Sequence, residues 1–448
     1  MSQRNIMECN SRPQNSEQNQ NEIAIARKIQ WYFQLYGGPQ PEVFKLNTHC
    51  WDKIFDWLSM EDVLSFGRTC KAFNWVAGEY FKENYPEYQL SIDSSSDSSI
   101  AKDFSPYVQS IMLNYKMTES DWSLVSNCKS LRHIEFDRTT LTKSSINTVE
   151  NVLKTVEEIS LFEPNINVSV YGDFHKLCAK LKRLDIYDDK VDVFLSQKYP
   201  VLERLRLYTD PSGDGLNTFF QMNSNVRNLT FRFADSIRNI RDCNINLDDL
   251  TIKIFSDRYY DFNIFDVLNQ LYQCGFYKHL HIGGWNEDHQ LAGLQGLVTL
   301  YVQIGTVHER RNVMLPPLPD LKELGFIANM TKLRNKGLNV TEIPNLCTNL
   351  QRLYICEPSV DDILPFIRRS QRLVEIEIDE FEGKVIDITA LNKERKKLNG
   401  ARKVTFYVSE DIYLATKWAT KDINLSLIEI RRSESYAGKF AHTLRCGW

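Results

Sequence analysis

The sequence predicts an α/β solenoid of parallel strands and outer helices, preceded by a short helical domain. Three observations carry this. An apolar–x–x–apolar–x–apolar pattern recurs along most of the chain, segments with helical apolar spacing lie between its occurrences, and an aromatic-dense stretch precedes it at residues 46–88. With 448 residues, 42% of them hydrophobic, the chain can fill a continuous elongated core.

Residues 1–21 are rich in Asn, Gln and Ser and bury too little apolar surface to offset chain entropy, so they are expected to be disordered. Ile25, Ile29, Phe33 and Tyr36 then fall at helical spacing before Gly37-Gly38-Pro39, which predicts an amphipathic helix over 22–38, packed on its own chain or on a partner. Residues 46–88 read as several short helices. A Ser/Asp-rich run, Ser91 to Ser99, marks 89–104 as a flexible linker, solvated or phosphorylated, and residues 105–448 hold the repeats.

The pattern starts at Val108-Ile111-Leu113 and continues through Leu131-Ile134-Phe136, Leu181-Leu184-Ile186 and Leu250-Ile252 to Leu425-Ile428-Ile430. Fourteen units recur about every 24 residues, within the roughly 20–29 residues of a leucine-rich repeat. The last two apolar residues of each unit lie two apart and share one face of a short strand, so stacked units make a parallel sheet over a ladder of Leu, Ile and Val. Ile146-Val149-Leu153, Ile264-Val267-Leu268-Leu271 and Ile363-Phe366-Ile367 predict helices on the convex side. Cys128, Cys178, Cys274 and Cys347 each stand three residues before a strand anchor, which marks them as small buried frame residues. A doubly wound sheet is the other α/β option, but no GxGxxG or GxxxxGK[ST] turn is present.

Leu46 to Ala77, LNTHCWDKIFDWLSMEDVLSFGRTCKAFNWVA, resembles the F-box. Leu46 opens it, Cys50 and Trp51 form the apolar pair, and Ile54-Phe55 and Leu58 follow at the family spacing. Asp62-Val63-Leu64 start the next helix, Cys70 comes eight residues after Asp62, and Phe73 stands where a Trp is common. Asn47 replaces the usual Pro and His49 an acidic residue, although Asn47 is itself a good helix N-cap. Together with the repeats, this is similar to an F-box/leucine-rich-repeat protein. The resemblance implies a non-catalytic, substrate-recognition subunit of an SCF-type cullin–RING ubiquitin ligase. Its F-box would dock a Skp-type adaptor, and through it cullin and RING subunits, while the repeats hold a protein substrate. The adaptor-binding residues implied are Leu46, Trp51, Ile54, Phe55, Leu58, Leu64 and Phe73. So many large apolar groups on about 40 residues also predict a protein partner on physical grounds, or a cap for the first repeat.

Residues alternating with the ladder point to the concave face. Arg183, Tyr187, Arg204, Arg206, Tyr208 and Arg232 make a basic, aromatic cluster there. It admits two readings: an acidic or phosphorylated substrate segment, or a solvated stripe neutralised by Asp185 and its neighbours. His279 and His281 share a strand face without a third ligand at useful spacing, and Trp285 beside them suits a protein contact. No CxxC pair occurs among the ten cysteines, and no Cys or His sits in a catalytic context. No metal, cofactor or catalytic residue is therefore expected. A formal net charge of −4 argues against nucleic acid, and the lack of a long apolar run argues against a membrane. With no signal-like start, the reading is cytoplasmic and/or nuclear with reduced thiols. A leucine-rich-repeat scaffold outside any ligase is the alternative.

Overall fold

The computed structural model describes residues 46–92, 103–166, 168–211, 213–232, 237–240, 243, 245–253, 264–285, 291, 293–303, 314–420 and 425–433. The N-terminal 1–21 and 22–38 segments, linker residues 93–102, Cys9, Cys446 and Trp448 lie outside them. The chain divides into two units, residues 1–83 and 84–448.

Among its described residues the first unit contains three helices, α1 (Thr48–Phe55), α2 (Met60–Gly67) and α3 (Lys71–Asn84), the last ending at the unit boundary. Asn47 caps α1, its side chain accepting from the Cys50 backbone N–H at 2.9 Å, so the helix starts on a side-chain hydrogen bond. Ser59 caps α2 in the same way through Asp62. Between the helices sits an aromatic cluster. Trp51 lies 5.6 Å from Phe55, 5.1 Å from Phe66 and 5.5 Å from Phe73, and Phe55 lies 5.0 Å from Tyr80 in edge-to-face contact.

The second unit is a solenoid of α/β repeats with parallel strands. Among the described residues a single sheet contains fifteen strands, and every neighbouring pair is parallel. They are β1 (Gln89–Ile92), β2 (Ser110–Leu113), β3 (His133–Asp137), β5 (Glu158–Phe162), β7 (Arg183–Tyr187), β8 (Arg204–Leu207), β9 (Asn228–Phe231) and β10 (Leu247–Lys253). They continue as β11 (Tyr277–Trp285), β12 (Leu297–Val302), β13 (Glu323–Phe326), β14 (Arg352–Ile355), β15 (Glu375–Ile378), β16 (Val404–Val408) and β17 (Ile428–Arg432). Two short strands, β4 (Thr140–Leu141) and β6 (Asn165–Ile166), pair separately beyond β3 and β5. Strand order follows chain order, as stacked repeats require. Helices, Lys143–Leu153, Ile264–Gln273 and Val360–Arg369 among them, connect successive strands of the sheet.

The ladder is buried as its spacing predicts. Leu184, Ile186, Leu205, Leu207, Leu229 and Phe231 are each at most 1% exposed. Among the described residues it opens only at Ala401, Leu425 and Ile430, which are half-buried.

Three expectations are corrected. Gln89–Ile92, expected within the flexible linker, is strand β1: it pairs with β2, Leu90 beside Ile111, and buries Leu90 and Ile92. Its repeat is hidden because Glu87 occupies the first apolar position of the pattern. Between β11 and β12 the register slips, so Ile282 faces Leu300 and Leu280 faces Leu297, where the repeat frame would place Leu280 beside Leu300. Finally, Cys128, Cys178 and Cys347 are buried but Cys274 is exposed. Cys178, just past the helix Val168–Leu177, donates to the carbonyl of Phe174 in its last turn, at 3.2 Å. Cys274 instead precedes Gly275, whose φ of 74° turns the chain, and Phe276 takes up the interior position.

Candidate interaction surfaces

The exposed face of the sheet carries hydrogen-bonded polar rows, since parallel strands in register place like positions side by side. At the N-terminal end Ser110 Oγ lies 2.9 Å from His133 Nδ1, and His133 Nε2 lies 3.0 Å from Ser160 Oγ. Ser160 in turn donates to Asp185 at 3.4 Å. Asp185 receives a fork from Arg183, Nε at 3.1 Å and Nη2 at 2.6 Å, while Arg183 Nη1 donates to Glu158 at 2.7 Å.

This geometry divides the predicted basic cluster. Arg183 is committed to Asp185 and Glu158 and braces three adjacent positions of the face. Arg204 and Arg206 are held more loosely, at 3.9 Å from Glu158 and 3.7 Å from Asp185, and the Arg204 side chain is 45% exposed. Arg232 stacks over the Tyr187 ring at 5.2 Å, and Tyr187 and Tyr208 lie 6.1 Å apart beside Phe162. Tyr208 is buried, so it forms a floor beneath this part of the face. The cluster is brought together as predicted, but Arg183 is a structural member of it. Sequence reasoning passed over Lys253, buried on β10 with its ammonium 5.1 Å above the Tyr208 ring. Its position on the same face was legible from the strand pattern.

Further along, His279 and His281 share one acceptor. Asp249 Oδ1 lies 3.2 Å from His279 Nδ1 and 3.1 Å from His281 Nε2, and the bond from His281 holds the carboxyl below its usual range. His281 Nδ1 meets Thr299 at 2.9 Å. Trp285 ends β11, its backbone paired with Val302. Tyr301 crosses Gly325, where a Cβ would collide with its ring, and donates its hydroxyl to Glu323, which Arg352 meets at 2.7 Å. Glycine is needed there because the ring occupies the place of its side chain.

The first unit sorts its predicted contact residues into two groups. Trp51, Phe55 and Leu64, named for adaptor contact by the resemblance, are at most 5% exposed and form the interior of the helices, since three short helices need these groups as their own core. Leu46, Leu58 and Phe73 are half-buried, and Phe73 packs 4.2 Å from Phe66. Ile54, 41% exposed, is the predicted residue that stands furthest out. Beside it in sequence is a residue the motif spacing did not single out, Trp57, 46% exposed just past the end of α1.

Among the described residues no helix is long and apolar enough to cross a membrane. No protein-family model matches the chain, and no curated protein matches it. Among solved structures it is similar to a leucine-rich-repeat protein of Leptospira interrogans, at 17% identity over 73% of this chain and 91% of that one, with a TM-score of 0.24.

Proposed function

We propose that the chain is the substrate-recognition subunit of an SCF-type ubiquitin ligase. Its N-terminal helices dock a Skp-type adaptor, which links it to cullin and RING subunits. The repeat sheet holds a protein substrate for ubiquitination, and the chain performs no chemistry itself. The work is placed in the cytosol or nucleus, where that machinery acts. What supports the reading is the motif at Leu46–Phe73, which lies over three short helices ahead of a leucine-rich-repeat sheet. Ile54 and Trp57 supply the exposed apolar contact such docking needs, because a large aromatic at a partner surface is the usual site of concentrated binding energy.

Purified full-length chain is expected to bind a Skp-type adaptor in a pull-down, and Trp57→Asp to weaken that binding by about thirtyfold or more with the helical circular dichroism unchanged. An intact chain that binds no adaptor would instead favour a repeat scaffold working outside a ligase.

The substrate segment is proposed to be acidic or phosphorylated and to lie over Arg204, Arg206 and the Tyr187–Tyr208 floor. Arg204→Glu with Arg206→Glu is expected to weaken capture of such a segment by about tenfold or more, since charge reversal both removes attraction and adds repulsion. A captured set of partners unchanged by the double reversal would exclude this surface.

A further inference from the structure

Repeat arrays are held by nearest neighbours, so their two ends ordinarily do not communicate. In this repeat unit they touch. Tyr85, just before β1, donates its hydroxyl to Glu410 Oε1 at 3.1 Å across 325 sequence positions. The same hydroxyl accepts from Arg432 Nη1 at 3.0 Å, across 347. Arg432 is the last residue of β17, and Glu410 begins the helix Glu410–Ala419 that follows β16. Arg432 Nε lies 3.6 Å from Glu410, and its guanidinium stacks on the Tyr413 ring at 4.8 Å. The group is well shielded: Tyr85 is 8% exposed and the Arg432 side chain 9%. Beyond it, Ser433 Oγ donates to Glu377 of β15 at 3.3 Å, tying the chain after β17 back onto the open face.

β1 and β17 are the first and last strands of the sheet and do not pair with each other. Left alone, each would be an edge prone to fraying.

We infer that the repeat unit is closed end to end by a Tyr85–Glu410–Arg432 clasp, which joins its two terminal strands into one cooperative element and sets the curvature of the concave face. A partner then meets a face whose curvature is fixed before binding, which lowers the ordering cost of association. The inference does not depend on the ligase reading, because it concerns the repeat unit alone.

Hydrogen exchange of the full-length chain, followed by mass spectrometry, tests it by reciprocity. Tyr85→Phe removes only the hydroxyl, yet it is expected to speed amide exchange about fivefold in 404–408 and 428–432, at the opposite end of the sequence. Arg432→Gln is expected to do the same in 89–92 and 110–113, and the double variant to add little to either, because both remove one shared contact. Effects confined in each variant to the mutated end would overturn the clasp. Tyr85→Phe is mild enough to keep the test valid should Arg432→Gln disturb β17 itself.

Discussion

Replacing Arg395 by leucine is expected to cost the C-terminal repeats at least about 3 kcal/mol, because it strips donors from several buried carbonyls at once. Arg395 lies on the helix Ile388–Lys396 and is 0% exposed. Its Nη1 donates to the carbonyls of Ile367 at 3.1 Å and Ser370 at 2.8 Å, its Nη2 to Gln371 at 3.3 Å and Leu373 at 3.1 Å, and its Nε to Arg402 at 3.2 Å. Ile367 is in the last turn of the preceding convex helix and Ser370 is its C-cap, where carbonyls lack helical partners and the negative dipole end favours a cation. Burial pushes the guanidinium down to about 10, which leaves it charged at neutral pH. One side chain thus joins two repeats through backbone alone. Leucine fills part of the volume and satisfies none of the carbonyls. Lysine keeps the charge but not the planar fork, so Arg395→Lys should fall between. Urea unfolding, with exchange read separately over 360–408 and 110–162, should show the loss concentrated in the former. A leucine variant within about 1 kcal/mol of the parent would refute the staple, since even one orphaned buried carbonyl costs that much.

Asp185→Ala is expected to be comparably damaging, by about 3–5 kcal/mol, as it leaves the Arg183 guanidinium half-enclosed without its forked partner. Arg183→Met with Asp185→Leu should recover much of that loss, because the pair is removed rather than broken. The same pair predicts an acid limit. Burial by itself raises the Asp185 carboxyl, but the Arg183 and Arg206 guanidiniums and the fork from Arg183 more than reverse this and hold it at about 2, below its ordinary 3.8. A carboxyl depressed in the folded state stabilises above its unfolded value and loses that contribution as pH falls. Asp185 should therefore contribute on the order of 2 kcal/mol above about pH 4, declining towards pH 2. Unfolding followed from pH 6 to 2 should show a shallower acid slope in Arg183→Met/Asp185→Leu than in the parent. Identical slopes would mean that Asp185 is not linked to folding.

Periodicity in the sequence determined the repeat frame, because a strand face and a helix face each impose a fixed spacing that side chains cannot disguise. It failed where one repeat lacked the signal. Glu87 hides β1, and the twenty positions between Leu280 and Leu300 hide a two-residue slip in pairing. It also placed Arg183, Arg204, Arg206 and Arg232 on one face correctly. It did not reveal that Arg183 also reaches Glu158 on the neighbouring strand, because that partner comes from a repeat 25 positions away.

In the helical unit the limit was different. Trp51, Phe55, Leu64, Ile54 and Trp57 are all large and apolar, and composition does not say which of them turn inward. Helix packing decides that, by burying the first three and leaving Ile54 and Trp57 outside. The sequence by itself therefore determined the solenoid, its ladder and the motif ahead of it, all properties of local spacing. Only the tertiary structure decided the Arg395 staple, the Arg183–Glu158 pair and the meeting of Tyr85 with Arg432, since each depends on which distant backbone and side chains are brought within hydrogen-bond reach.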